Sequence, residues 1–283
     1  MCGLQQNNQI LPSLHSSKKF KAGTMTEEEF SSKSEMEAVP YSLLARIYDH
    51  MMAHVNYYQW AQYIMQIIRR QGIADIHLLD IGCGTGLFLH QMKRLGISGA
   101  GCDPSEEMLK IARQRNPDLQ FWHCGLPGLS AIPFKHFNVI TCLYDTINYI
   151  LQPQQLIESF SEVFKHLTAP GLFIFDIATE KNSREHFSNS FEREIISEKF
   201  AYVRESYYDS ATEIQHNWVK IYTQDGIFVE HHRQRIYSPE QIRSLIKKFT
   251  DFCVLHMYDE FTFSPMHQDS TRVHFILKKV VGI

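Results

Sequence analysis

The sequence predicts an α/β fold, a parallel and doubly wound sheet with helices on its faces. The first sign is the apolar run at 76–81, which leads into Gly82-Cys83-Gly84-Thr85-Gly86. An unbroken apolar run suits a parallel strand covered on both faces. The second is an alternation of strand-like and helix-like stretches, joined by short links, that continues to Asp176. Such an order builds a parallel sheet with helical crossovers. The third is a break in that alternation at 190–237, where long aromatic-rich stretches are separated by turn residues.

Composition narrows the function classes. A chain of 283 residues holds one large domain, or a domain with a sizeable insertion. The apolar share of 44% and charged share of 21% are those of an ordinary globular protein. A net charge of -3 provides no basic field for nucleic acid, which is not an expected partner. None of the six cysteines forms a C-x-x-C pair, so no metal site is expected. Cys83, Cys102, Cys124 and Cys142 lie in or beside predicted strands, where a free thiol behaves as a small hydrophobe. No signal peptide and no bilayer-length apolar run is present, so a reducing, cytoplasmic setting without a membrane partner is expected.

Taken in order, residues 1–38 are polar and read as a flexible leader, with Met25 as an alternative start. Residues 41–70 carry two helical stripes: Leu44, Ile47, Tyr48, Met51 and Val55, then Tyr57, Trp60, Ala61, Ile64 and Ile68. The chain breaks between them at Val55-Asn56-Tyr57. After the 76–81 strand, the glycines turn the backbone sharply and allow it close to a ligand. Leu87 then opens a helix whose free amides point back at the turn.

A second strand at 97–102 ends beside Asp103, at the distance expected for an acid that binds a ribose. Asp103 also reads as a helix N-cap, with Pro104 and Glu106 completing the start. Short strands follow at 119–123, 137–143 and 172–176, with a helix at 154–167. Three strands are predicted within 199–208, 214–222 and 227–237, then a helix at 239–249 and two last strands at 252–258 and 272–279.

The stretch 78–86 resembles the first motif of the class I S-adenosylmethionine-dependent methyltransferases, with Asp103 at the position of the acid after strand two. Its Gly-x-Gly-x-Gly spacing departs from the Gly-x-Gly-x-x-Gly of nicotinamide dehydrogenases. The segment Tyr41-x3-Ala45-x-Ile47-Tyr48-Asp49, with Val55-x-Tyr57-x-x-Trp60, is similar to the leading helices of one small-molecule subfamily. Glu230-x-His232-x-Gln234-Arg235-x-Tyr237 looks like that subfamily's lid, in the methyltransferase domain 25-like group that includes sugar N,N-dimethyltransferases.

The resemblance implies a Rossmann-like seven-stranded sheet in the order 3-2-1-4-5-7-6, with strand seven antiparallel. The core is then 39–189 with 238–283, and 190–237 is a β-meander lid. It implies S-adenosyl-L-methionine as cofactor, held by Tyr41, Tyr48, Asp80, Gly82, Cys83, Gly84, Gly86, Asp103, Pro104, Met108, Gly125, Leu126 and Leu143. Gly125 stands where the family carries an acid facing the adenine amino group.

In an open α/β sheet ligands bind beyond the carboxyl ends of the strands, so Tyr144, Asp145 and Asn148 are candidates to orient an acceptor. Asp145 also reads as a helix cap, and Tyr144 as packing. Strand alternation puts Glu230, His232 and Gln234 on one face, with His232 a candidate general base. A bland pairing of Glu230 with Arg204 or Lys220 is the alternative. The expected reaction is methyl transfer to an amine, less readily a hydroxyl, of a small molecule, with a homodimer through the lid. A non-catalytic sensor of S-adenosylmethionine or S-adenosylhomocysteine is the rival, supported by Gly125.

Overall fold

The computed structural model describes residues 34–133, 137–197 and 199–280. The leader reading for residues 1–33, with Met25, lies outside them. The described chain starts with a strand, β1 (Glu35–Ala38), although this stretch was expected to be part of a flexible leader. Its side chains are largely exposed, and parallel pairing with a later strand holds it in place.

A short 3-10 turn (Leu44–Arg46) and one turn of helix, α1 (Tyr48–Met51), replace most of the first predicted helical stripe. The true helix, α2 (Tyr57–Arg70), begins at the expected break, where the Asn56 side chain accepts from the Gln59 amide at 3.0 Å. It buries Trp60, Ala61, Ile64 and Ile68 as predicted.

Strand β2 (Leu78–Ile81) is buried at every residue and runs through the glycine turn into α3 (Leu87–Arg94). Next come β3 (Gly99–Asp103), α4 (Glu106–Arg115) and β4 (Gln120–His123). Ser105, not Asp103, caps α4: its hydroxyl accepts from the Met108 amide at 3.3 Å. The Asp103 carboxylate is thereby left to other donors. Strand β5 (Phe137–Cys142), a 3-10 turn (Thr146–Tyr149) and α5 (Pro153–His166) lead to the long β6 (Leu167–Ala178). A short helix, α6 (Glu180–His186), then enters the second sheet.

That sheet holds β7 (Asn189–Ser197), β8 (Phe200–Asp209), β9 (Ile214–Tyr222) and β10 (Ile227–Arg235), antiparallel in sequence order, with β1 along the free edge of β10. The sequence reading expected three strands. The fourth, β7, was hidden because its charged run Glu192-Arg193-Glu194 shows no clean alternation and Phe191 is exposed. Helix α7 (Pro239–Phe249), opened by a Ser238–Gln241 capping box, returns the chain to the core sheet. Strands β11 (Cys253–Asp259) and β12 (Arg272–Lys279) complete it.

The core order is β11-β12-β6-β5-β2-β3-β4, and β12 is antiparallel to both neighbours. Counting only these seven strands, this is 3-2-1-4-5-7-6 with the seventh reversed, as the resemblance implied. One face packs Phe160, Phe175 and Phe275 with α5 and α7; the other packs Trp60, Ile64 and Ile276 with α2 and α3. A small third cluster joins Leu44 and Ile47 to Tyr202, Val219 and Ile221, and so ties the N-terminal segment to the second sheet.

Gly86 caps α3 with φ +76, and a Cβ there would lie 2.8 Å from the Asn116 side-chain nitrogen and 3.2 Å from the Ala112 Cβ. Gly86→Ala is expected to lower the free energy of unfolding by roughly 1–3 kcal/mol through left-handed strain and this clash, read by urea denaturation.

Candidate active site

A cavity of about 760 Å³ opens at the carboxyl ends of the core strands and is roofed by the second sheet and the N-terminal segment. Its floor is the glycine turn. Gly82 and Gly84 have φ +70 and +53, which side chains rarely adopt. A Cβ on Gly82 would stand 2.6 Å from the Thr146 methyl, and one on Gly84 would point toward Tyr48.

Asp103 ends β3 almost fully buried. One carboxylate oxygen accepts the Gly84 amide at 2.9 Å and the other accepts the Ser105 amide at 2.8 Å. Each oxygen keeps a further lone pair. Burial pushes this carboxyl up to about 6, against the lowering effect of those two amides. Asp80 is pushed up to about 7 by burial, although the Thr141 hydroxyl donates to it at 2.7 Å.

Tyr41, Tyr48, Asp80, Gly82, Cys83, Gly84, Asp103, Pro104, Met108, Gly125, Leu126 and Leu143 all line the cavity. Gly86 does not line it; its conformation serves helix packing. His123 also stays out of the cavity and bonds the Pro104 carbonyl at 2.9 Å. A Cβ on Gly125 would meet Pro104 at 3.3 Å.

The N-terminal segment is latched over this floor. Asp49 accepts from the Thr85 hydroxyl at 2.6 Å and pairs with Arg115, and the Ser105 hydroxyl donates to the Tyr41 carbonyl at 3.0 Å.

The other end of the cavity is built on two carboxylates, Asp176 fully buried and Asp145 partly so. Asp176, near the end of β6, takes the Tyr144 amide at 2.6 Å and the Asp145 amide at 2.9 Å, and pairs with Arg272. Tyr144 and Asp145 are both left-handed, with φ 61 and 52. Asp145 accepts from Arg272 at 2.8 Å and from Gln234 of β10 at 2.6 Å, and its side chain makes no helix cap. Burial raises both carboxyls, with Arg272 acting against it. The Tyr144 ring packs beside Trp60, with the Arg272 guanidinium 5.0 Å from its centroid. Asn148 lies outside the cavity. It is fully buried and bonds the backbone of Ala178 and Arg235, so its role is to join the 3-10 turn to both sheets.

Glu230 does not pair with Arg204 or Lys220, which bond Glu192 and Glu35 instead. Its carboxylate accepts the amides of Tyr41, Leu43 and Leu44 at 2.6, 2.7 and 2.9 Å. Burial would raise the Glu230 carboxyl, but these amides and His232 outweigh it and hold it below its usual range. His232 Nε2 lies 3.1 Å from the same carboxylate. Since an ionised carboxylate only accepts, Nε2 carries the proton and Nδ1 is the basic atom. The Tyr149 hydroxyl lies 3.4 Å from Nδ1, and the Tyr41 hydroxyl lies 2.5 Å from that of Tyr149. Tyr144, Asp145 and His232, the three catalytic candidates, all line the cavity.

Sequence reasoning missed Tyr149, Asp176 and Arg272 as site residues, and placed Gln234 on the His232 face without giving it a role. Asp176 carried a usable signal, an acid closing an apolar strand at its carboxyl end. Arg272 carried none, because its partners are distant in sequence. Among the described residues no three His, Cys, Asp or Glu side chains converge on a possible metal position, and no helix is long and apolar enough to cross a membrane.

The sheet order, the glycine floor and the ribose-type acid define the fold of a class I methyltransferase. Comparison with known proteins agrees. Residues 78–171 match the model of the methyltransferase domain family. A putative methyltransferase of Geobacillus sp. (strain WCH70) is 26% identical over 84% of this chain and 99% of its own length. The dTDP-3-amino-3,6-dideoxy-alpha-D-glucopyranose N,N-dimethyltransferase of Streptomyces fradiae is 27% identical over 47% of this chain and 52% of its own. The crystal structure of an S-adenosylmethionine-dependent methyltransferase from Clostridium acetobutylicum superposes with a TM-score of 0.73, at 24% identity, over 85% of this chain and 99% of that one. The chain carries the fold and a matching domain of the class I S-adenosylmethionine-dependent methyltransferases, with S-adenosylmethionine as cofactor. The site fits that group: a buried carboxylate with spare lone pairs, Asp103, stands over a glycine floor with room for a ligand.

An ionised Asp103 accepts hydrogen bonds with both oxygens, whereas a protonated one gives up acceptor capacity. Cofactor affinity is therefore expected to fall as pH drops through about 6, the value to which burial raises Asp103, approaching tenfold per unit below it. Titration calorimetry across that range checks this, and Asp103→Asn is expected to bind weakly and to lose that part of the pH dependence.

Proposed function

We propose that this methyltransferase acts on the amine of a small molecule. The observation that carries the reading is His232 on the cavity wall, backed by the fully buried Glu230, with Nδ1 as its basic atom. S-adenosylmethionine supplies an electrophilic sulfonium methyl. Tyr41 and Tyr48 cover the cofactor end, and the Asp103 carboxylate and the glycine floor hold it. His232 takes the proton that the acceptor nitrogen gives up, and Glu230 steadies the imidazolium. Asp145 and Asp176 share one guanidinium, so when both are ionised the cluster keeps surplus negative charge, which favours a cationic amine. The Streptomyces fradiae relative, an amino-sugar N,N-dimethyltransferase, supports nitrogen, while O-methyltransferase relatives keep oxygen as the lesser alternative.

In this reading 190–237 is a lid that excludes water. Exposed Phe191 and Tyr207 on its adjacent strands β7 and β8 support a second copy packing there. Gly125, in the adenine-side position, supports a second reading, a non-catalytic sensor. Tight cofactor binding with no turnover on any acceptor would favour it.

The test is purified protein with methyl-labelled S-adenosylmethionine and a metabolite extract. Label is expected on small amines; label on nucleic acid alone would overturn the proposal. Against the acceptor so found, His232→Gln is expected to lower kcat roughly hundredfold at neutral pH. The loss should shrink at alkaline pH, where the amine arrives already deprotonated, and cofactor affinity should stay within about twofold, measured by calorimetry. A loss independent of pH would remove His232 as the base.

A further inference from the structure

The inward face of the second sheet continues beyond His232. By register, Arg204 of β8 shares a row with Val219 of β9 and Glu230 of β10, and Asn217 shares the next row with His232. Arg204, Asn217 and His232 all line the cavity. The Arg204 guanidinium pairs through one terminal nitrogen with Glu192 at 2.5 Å and lies 5.8 Å from the centre of the Phe187 ring. Its Nε is buried and meets no acceptor. A buried charged N–H left unpaired is costly, and native proteins rarely tolerate one without a ligand, ion or water.

The only other buried guanidinium nitrogen in this state among the described residues, Arg235 Nε, belongs to a side chain outside the cavity. Around Arg204 the other polar groups also favour an electron-rich ligand. Asn217 uses its carbonyl oxygen to accept from Ser206 at 2.7 Å, which leaves its NH2 group as a donor, and His186 lines the same cavity. The Arg204 charge acts as far as Tyr144, at the acceptor end.

We propose that Arg204 anchors an anionic group of the methyl acceptor, a phosphate or carboxylate oxygen docking on Nε with Asn217 beside it. This rests on the amine reading above and sharpens it. Strands β8 and β10 are two spacings, about 10 Å, apart. The acceptor is thus an amine that also carries an anionic group, held from a different strand than the one that bears His232. Charge-assisted, planar recognition of this kind is what a guanidinium does better than an ammonium.

The test is calorimetry on the full chain saturated with S-adenosylhomocysteine, titrated with inorganic phosphate and, separately, with acetate. Phosphate, acetate or both are expected to bind the wild type, and Arg204→Gln to weaken that binding by roughly tenfold, with Arg204→Lys between them. Binding of phosphate alone assigns a phosphorylated acceptor, and of acetate alone a carboxylated one. Equal anion affinity in wild type and Arg204→Gln, or no anion binding in the wild type, would overturn the proposal. So would loss of S-adenosylhomocysteine binding in both variants, which would make Arg204 structural. Failure of the amine reading shows separately, as absence of label on any amine while the anion titration still depends on Arg204.

Discussion

Two buried carboxylates hold backbone that would otherwise not stay where it is. Asp176 grips the amides of Tyr144 and Asp145, and Glu230 grips the amide of Tyr41. All three gripped residues are non-glycine and left-handed. Each such residue costs of order 1–3 kcal/mol, and hydrogen bonds to a charged group return roughly 1.5–3 kcal/mol each. The two effects are of the same size, so the carboxylates offset the strain of the left-handed turns. The side chains these turns aim, Tyr41, Tyr144 and Asp145, are cavity-lining residues. Strain and site therefore coincide.

The two ends of the cavity are made differently. The cofactor end is mostly backbone: a glycine floor, amide-bound Asp103 and the latch of Asp49 on Thr85 and Arg115. The other end is mostly side chains from four separate elements, with Arg272 of β12, Asp145 after β5, Gln234 of β10 and Gln215 of β9 in one polar chain that ends on Ser183 of α6. A backbone-built end fixes one ligand closely. A side-chain-built end varies with each substitution, as expected where a common fold serves many acceptors.

That difference also explains what could be read from the sequence. The parallel sheet, the glycine turn and Asp103 come from local signals, an apolar run, a glycine spacing and an acid at a strand end, while the strand order and the other cofactor-side residues come from the family resemblance those signals carry. Long amphipathic helices such as Tyr57–Arg70 and Pro239–Phe249 were equally plain, because their caps and stripes are local. The 41–54 stretch looked like one helix because its stripe was right. It became a short 3-10 turn and a single helical turn because Glu230, almost two hundred residues away, takes its amides. The same remoteness hid Arg272 and the orphan Nε of Arg204. Strand β7 and the edge strand β1 were unreadable for another reason: they are exposed, charged and held by pairing rather than by a buried face.

Glu230 touches both ends at once, through the amides at 41–44 and through His232. Any ligand that orders the N-terminal segment thereby also orders the imidazole, and the converse holds by thermodynamic reciprocity. The two ends of the cavity are for this reason joined through one side chain. A ligand that moved this one carboxylate from either end would change what the other end meets.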